Sequence, residues 1–150
     1  MSDIRFDGQV VIVTGAGGGL GRSHALEFAR RGAKVVVNDL GGTLDGSGGS
    51  SAAADAVVTE IVAAGGTAIA DGASVTDDAG VASLVKRTID AWGRIDVLIA
   101  NAGILRDKSF TKMELGDFSA VMDVHVMGAV KPLKAMWDTI NGCGELTGSL

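Results

Sequence analysis

The segment that most restricts this chain is Thr14-Gly15-Ala16-Gly17-Gly18-Gly19-Leu20-Gly21, because of what flanks it. Before it, residues 9–14 (QVVIVT) form a short apolar run rich in β-branched side chains, as in a strand buried on both faces. After it, residues 20–31 (LGRSHALEFARR) mix apolar and charged positions as a helix does, and Gly32 is placed to cap that helix. A turn between a buried strand and a helix uses glycine for backbone angles that a Cβ forbids and for close helix–strand packing. The same turn brings an anion against main-chain N–H groups at the positive end of the helix. The expectation is a loop that cradles a dinucleotide pyrophosphate. Five of the 23 glycines in the 150 residues fall between positions 15 and 21, so the glycine excess is turn chemistry rather than low complexity.

The rest of the chain alternates in the same way. Residues 34–38 (KVVVN) predict a second strand, 41–51 a flexible loop, and 52–64 a helix ended by Gly65-Gly66. Residues 67–70 (TAIA) predict a weak third strand, and Asp77 or Asp78 can N-cap a helix that runs to Trp92 and closes at Gly93. Residues 95–100 (IDVLIA) predict a fourth strand, and 115–140 a long helix interrupted at Pro132. This order implies an α/β fold with a parallel sheet and right-handed crossovers, with no linker between domains.

Composition removes several functions. Thirteen basic against 18 acidic residues give a net charge of −5, which counts against binding a nucleic-acid backbone. No apolar run approaches the roughly 18 residues of a membrane span. The single cysteine, Cys143, cannot form an internal disulfide, and the start Met1-Ser2-Asp3-Ile4-Arg5 lacks the features of a signal peptide. The expected setting is the cytoplasm, with no nucleic-acid partner, no membrane and no metal. Asp39 ends the second predicted strand, 18 residues after Gly21. An acidic side chain there accepts both hydroxyls of an adenosine ribose and repels a 2′-phosphate. No arginine or lysine stands at 38–45, so NAD is expected over NADP.

The spacing TGxxxGxG at 14–21, paired with Asn101-Ala102-Gly103 after the fourth strand, resembles the short-chain dehydrogenase/reductase family over residues 5–140. The segments RFDGQVVIVTGAGGGLGR, VVVNDLGG and GRIDVLIANAGILRDKSF, with His125, resemble more narrowly the multifunctional enzyme type 2 group. Those proteins carry a (3R)-hydroxyacyl-CoA dehydrogenase domain, and bacterial single-domain relatives share the pattern. The resemblance implies a Rossmann-type doubly wound parallel sheet and hydride transfer between NAD and a secondary alcohol or ketone, a 3-hydroxyacyl-CoA. It implies a small-molecule substrate and a homo-oligomer at full length. It places Gly15, Gly19, Leu20 and Gly21 at the pyrophosphate, Asp39 at the adenosine ribose and Ser74 with Val75 at the adenine. Asn101, followed by Ala102 and Gly103, stands beside the cofactor ribose, and Thr14 ties the glycine loop to the Asn101 loop. His125 occupies a proton-relay position where most of the family has asparagine. Ser74 stands where many members have aspartate, and Ala100 where many have a first asparagine.

The family's chemistry also needs a serine and a Tyr-x-x-x-Lys turn, and this sequence contains no tyrosine. Residues 1–140 therefore read as the NAD-binding half of such a domain, and 141–150, with three glycines, as an atypical tail. The expected sheet is truncated, in order 3-2-1-4, with an exposed apolar fourth strand. The helix around 115–140, which pairs between subunits in the family, is expected to expose an apolar face. The alternative is an inactive truncated fragment that at most binds NAD.

Overall fold

The computed structural model describes residues 4–42, 46 and 52–140. The tail at 141–150 and most of the 41–51 loop lie outside the described residues. Four parallel strands, β1 (Val10–Thr14), β2 (Lys34–Asn38), β3 (Thr67–Asp71) and β4 (Val97–Ile99), lie in the order β3-β2-β1-β4. Helices α1 (Gly19–Arg30), α2 (Ala52–Ala63) and α3 (Asp78–Trp92) follow β1, β2 and β3. A 3₁₀ turn (Phe110–Lys112), α4 (Leu115–Met122), a π turn (Asp123–Met127) and α5 (Gly128–Ile140) follow β4.

The two-sided burial of β1 explains its unbroken run of apolar residues. Val11 and Val13, with Val35 and Val37 of β2, pack against Ala25 and Ala29 of α1 and Ala54, Val57 and Ile61 of α2. Ile12 and Val36 point the other way, to Leu84 of α3 and Met136 of α5. Side chains alternate across a strand, so a sheet covered on both faces needs an apolar residue at every position. The doubly wound parallel sheet and its order are those expected from the sequence.

The helix ends obey local chemistry. Asp77 is the N-cap of α3, its Oδ2 accepting from the Gly80 N–H at 2.7 Å. Gly93 ends that helix in the left-handed region, its N–H donating to the Ile89 carbonyl at 2.7 Å.

Two elements differ from expectation. β4 has three residues rather than six, and at its start the Asp96 N–H donates to the Val10 carbonyl at 2.9 Å while the Asp96 side chain takes the returning bond. Asp96 Oδ2 accepts from the Val10 N–H at 2.7 Å, while Ile95 is buried beneath the sheet. Burial raises the Asp96 carboxyl, but hydrogen bonds from Arg94 and from the Val10 N–H, with the Arg94 charge, outweigh it and hold the group below its ordinary range. The second correction concerns the long helix. It is interrupted by the π turn at 123–127, whereas Pro132 is accommodated inside α5. A proline lacks an N–H and crowds the carbonyl four residues back. Here that residue is Gly128, where the π turn gives way to α5.

β4 is an end strand among the described residues, and its three residues are half-buried. The stretch from α4 through the π turn to α5 exposes a stripe of apolar residues at Phe118, Met122, Val126, Val130, Leu133 and Trp137. Their spacing of three and four residues places them on one face.

Candidate functional site

A cleft of about 640 Å³ opens at the carboxyl ends of the strands. That volume falls within the roughly 300–1,000 Å³ of small-molecule and cofactor sites, and in open parallel sheets this is the edge where ligands bind. Its walls are the glycine loop, Asp39, the Ala73–Thr76 segment and the Asn101–Ile104 segment, with Arg106 and Asp123 at the margin.

Three adjacent strands end in polar residues at one level: Thr14 is opposite Asn38, and Asn38 opposite Asp71. All three are buried, and each uses its side chain to hold a loop beyond the sheet. Thr14 Oγ1 accepts from the N–H groups of Asn101 and Ala102, both at 3.1 Å, and contacts the Ile99 carbonyl at 3.4 Å. Asn101 Nδ2 returns the link, donating to the carbonyls of Thr14 (3.1 Å) and Gly15 (3.0 Å). The glycine loop and the loop after β4 are therefore one hydrogen-bonded unit, and the side-chain nitrogen of Asn101 is committed to it.

The loop requires glycine for two distinct reasons. Gly15 has φ +63°, and a Cβ there would lie 2.8 Å from the Ala102 Cα. Gly21 is buried in the first turn of α1, where a Cβ would run into the Gly15 carbonyl and lie 2.5 Å from Asn101 Nδ2. A Cβ on Gly18 or Gly19 would meet nothing within 4 Å, although Gly19, at φ +52°, shares the backbone demand of Gly15. Those two residues face open space at the start of α1, whose N-cap is Gly18 and whose first turn holds no acidic residue. A helix N-terminus with no side-chain cap and no acidic residue in its own first turn is a receptor for an anion.

Asp39 bounds the neighbouring wall. Its Oδ2 accepts from the Gly17 N–H and its Oδ1 from the Gly41 N–H, both at 2.7 Å. Two main-chain donors thus fix the carboxylate plane, and each oxygen retains further acceptor capacity for a ligand hydroxyl. Ser74 and Val75 line the same cleft further along. Ser74 Oγ pairs with Thr76 Oγ1 at 2.9 Å, and Val75 is buried against Gly128 of α5.

The remaining expected residues lie around the cleft rather than on its wall. Leu20 is 74% exposed, Gly21 and Thr14 are buried beneath the loop, and His125 stands behind the Asn101–Ile104 segment. Its ring packs on Gly103, where a Cβ would lie 2.7 Å from Cε1. His125 Nε2 is 3.1 Å from the Ile104 nitrogen and 2.9 Å from its carbonyl oxygen, so the ring can accept from one or donate to the other according to its tautomer. The cleft therefore gathers Gly15, Gly19, Asp39, Ser74, Val75, Asn101, Ala102 and Gly103 on its wall.

Sequence reasoning passed over Asn38, Asp71, Arg106 and Asp117. A polar residue ending an apolar strand was the available signal for the first two. Arg106 and Lys108 both bond Asp117, at 3.1 and 2.7 Å. The bonds from Lys108 and then Arg106 hold the Asp117 carboxyl below its ordinary range, and the same carboxylate raises Lys108. Among the described residues no group of three or more metal-ligating side chains could hold a metal ion, and no helix is long and apolar enough to cross a membrane.

Comparison with known proteins agrees with this geometry. Residues 9–145 match the short chain dehydrogenase family model. The chain is 57% identical to peroxisomal multifunctional enzyme A of Dictyostelium discoideum over 135 residues, covering 90% of this chain and 30% of that protein. It is 54% identical to mouse (Mus musculus) peroxisomal multifunctional enzyme type 2 over 137 residues, covering 91% of this chain and 18% of that one. Among solved structures, a 7α-hydroxysteroid dehydrogenase complexed with NADH and 7-oxo glycochenodeoxycholic acid superposes with a TM-score of 0.82 at 32% identity, covering 92% of this chain and 50% of that chain. The chain thus spans half or less of the length of each of these proteins. With the glycine loop, the strand order and the family match in agreement, the chain belongs to the short-chain dehydrogenase family.

Proposed function

We propose that these residues form the dinucleotide-binding half of an NAD-dependent oxidoreductase acting on a secondary alcohol or ketone, with a 3-hydroxyacyl-CoA as substrate. The observation that carries the reading is the pairing of two features across one cleft. The N-terminus of α1 at Gly18 and Gly19, without a side-chain cap, opens on the cleft, and a carboxylate fixed by two main-chain amides lies beside it at Asp39. The first suits the pyrophosphate and the second the adenosine ribose. Bound there, nicotinamide supplies the hydride acceptor or donor. Asp39 would meet a 2′-phosphate with like charge, which favours NAD over NADP. Ser74 and Val75 flank the adenine, and Asn101, Ala102 and Gly103 form the wall towards the nicotinamide ribose.

Within this reading His125 keeps the relay position that the resemblance gives it. Its Nε2 already meets the Ile104 peptide, so any proton passing through the ring uses Nδ1 or that peptide. The exposed stripe on α4 and α5 is the surface we assign to pairing between copies of the whole protein. The compartment remains a point of difference. A single cysteine fits a reducing compartment such as the cytoplasm, whereas both relatives above are named peroxisomal. Immunolocalisation of the whole protein distinguishes them.

Calorimetric titration with NAD and NADP tests the cofactor reading. NAD is expected to bind more tightly, and Asp39→Ala to narrow the gap. No binding of NAD, or an affinity indifferent to Asp39, overturns it. NAD-dependent oxidation of 3-hydroxyacyl-CoA by the whole protein tests the substrate. A second reading, a 150-residue chain that binds NAD without turnover, is favoured by the absence of tyrosine from the sequence. Activity in the isolated chain would refute it.

A further inference from the structure

We propose that Asn38 and Asp71 are positioning residues for the adenine end of the cleft, a role that rests on the dinucleotide reading above. Both side chains are buried, at 1% and 3% exposure. Burying a carboxylate and an amide is unfavourable unless every polar atom is satisfied. Strand pairing does not call for them, since the β2–β3 ladder is already in register along its length. What the pair does hold is Ala73. Asp71 Oδ1 accepts from the Ala73 N–H at 2.9 Å, and Asn38 Nδ2 donates to the Ala73 carbonyl at 2.9 Å. A bond of 2.8 Å from Asn38 Nδ2 to Asp71 Oδ1 closes the arrangement. Both Asn38 amide hydrogens are thereby used.

Both polar groups of Ala73 are fixed, so neither adjoining peptide plane can rotate. The next two residues, Ser74 and Val75, line the cleft. Arg87 of α3 anchors the pair from outside, bonding Asp71 Oδ2 at 3.1 Å and the Ala70 carbonyl at 3.0 Å. At the far end of the segment, Lys131 of α5 donates to the Thr76 carbonyl at 2.8 Å. A wall clamped at both ends before the ligand arrives spares the ordering cost that a mobile loop would impose on binding. Asn38 and Asp71 thus act on adenine recognition through the main chain, without touching the base.

The test compares NAD with nicotinamide hypoxanthine dinucleotide, in which a carbonyl replaces the adenine 6-amino group. Calorimetry on the full chain is expected to show that wild type prefers NAD. Asn38→Ala is expected to weaken NAD by about tenfold, the scale of one hydrogen bond, while weakening the hypoxanthine analogue less. A merely structural role would weaken both alike, and an unchanged ratio overturns the proposal. If wild type binds both equally, the positioning role falls while the dinucleotide reading stands. If it binds neither, the dinucleotide reading falls and takes this proposal with it. Hydrogen exchange on the ligand-free wild type provides a measurement that needs no variant. The Ala73 amide is expected to be protected like the β3 ladder, and rapid exchange that slows only when NAD is added refutes a preformed wall.

Discussion

Replacing Thr14 by valine isolates the link between the glycine loop and the loop after β4. Valine has the same shape, so no cavity opens at a residue that is fully buried. The change removes one oxygen, which accepts from the N–H groups of Asn101 and Ala102 at 3.1 Å each. An orphaned donor costs about 1–3 kcal/mol when cut off from water. Asn101 and Ala102 are half-buried, so water recovers part of that, and the lower end of the range applies to each. The expected loss is about 2–3 kcal/mol. It is a large share of the roughly 5–15 kcal/mol that holds a domain together. At roughly 2–4 °C per kcal/mol, Tm should fall by about 4–12 °C.

Thr14→Ser is the control. Serine keeps the acceptor and loses one buried methyl, at a cost of about 1 kcal/mol. Urea unfolding of the three proteins, with m-values checked for equality, ranks them. The hydrogen-bond reading requires wild type above serine and serine above valine. If valine is the more stable substitution, packing of the methyl governs the site and the reasoning is wrong.

Three further outcomes are expected. Gly21→Ala should destabilise by about 1–3 kcal/mol, because overpacking against the Gly15 carbonyl exceeds the gain in helix propensity. Gly116→Ala, in open space on α4, should stabilise by up to about 1 kcal/mol, and equal effects in thermal melts would refute the distinction. Asp96 has a depressed folded-state pKa, so its contribution is full above the ordinary carboxylate pKa and is lost as pH falls through the folded value. Asp96→Asn should therefore flatten the acid limb of the stability–pH curve below about pH 4, and an unchanged limb would show that the Arg94 and Val10 bonds contribute nothing. The double variant Val130→Glu, Trp137→Glu should weaken any concentration-dependent association seen by sedimentation, and an unchanged profile would separate the apolar stripe from self-association.

The fold was legible wherever one local pattern governed the outcome. Val10–Val13 and Val35–Val37 are apolar at every position because both sheet faces are covered, and parallel pairing follows from alternation with helices, whereas the strand order was legible only through the family resemblance. Gly93 and Asp77 announce helix ends through their own chemistry. The break in the long helix was hidden, because a π turn carries no compositional mark and Pro132 drew attention to the wrong place. At the start of β4 the Asp96 side chain reaches Val10 across 86 positions of sequence, a contact that no local window contains. The glycine-loop and Asn101 walls of the cleft follow from motif spacing, and Ser74 with Val75 from the family resemblance alone. Asn38 and Asp71 did not stand out, since a polar residue after an apolar run is also the ordinary way for a strand to enter a turn.

The Thr14–Asn101 link also bears on the order in which the cleft comes into being. β1, β2 and β3 with α1 and α2 are complete by residue 71, but the wall at 101–104 exists only once β4 has docked beside β1. An open state in which β4 has come away keeps the glycine loop and Asp39 yet loses half of the ligand's surroundings. A ligand spanning both halves therefore selects the docked state and stabilises it in proportion to RT ln(1 + [L]/Kd). Saturation with dinucleotide should slow hydrogen exchange in Val97–Ile99 far more than in the β2–β3 ladder, making this end strand the part of the sheet whose persistence is set by ligand concentration.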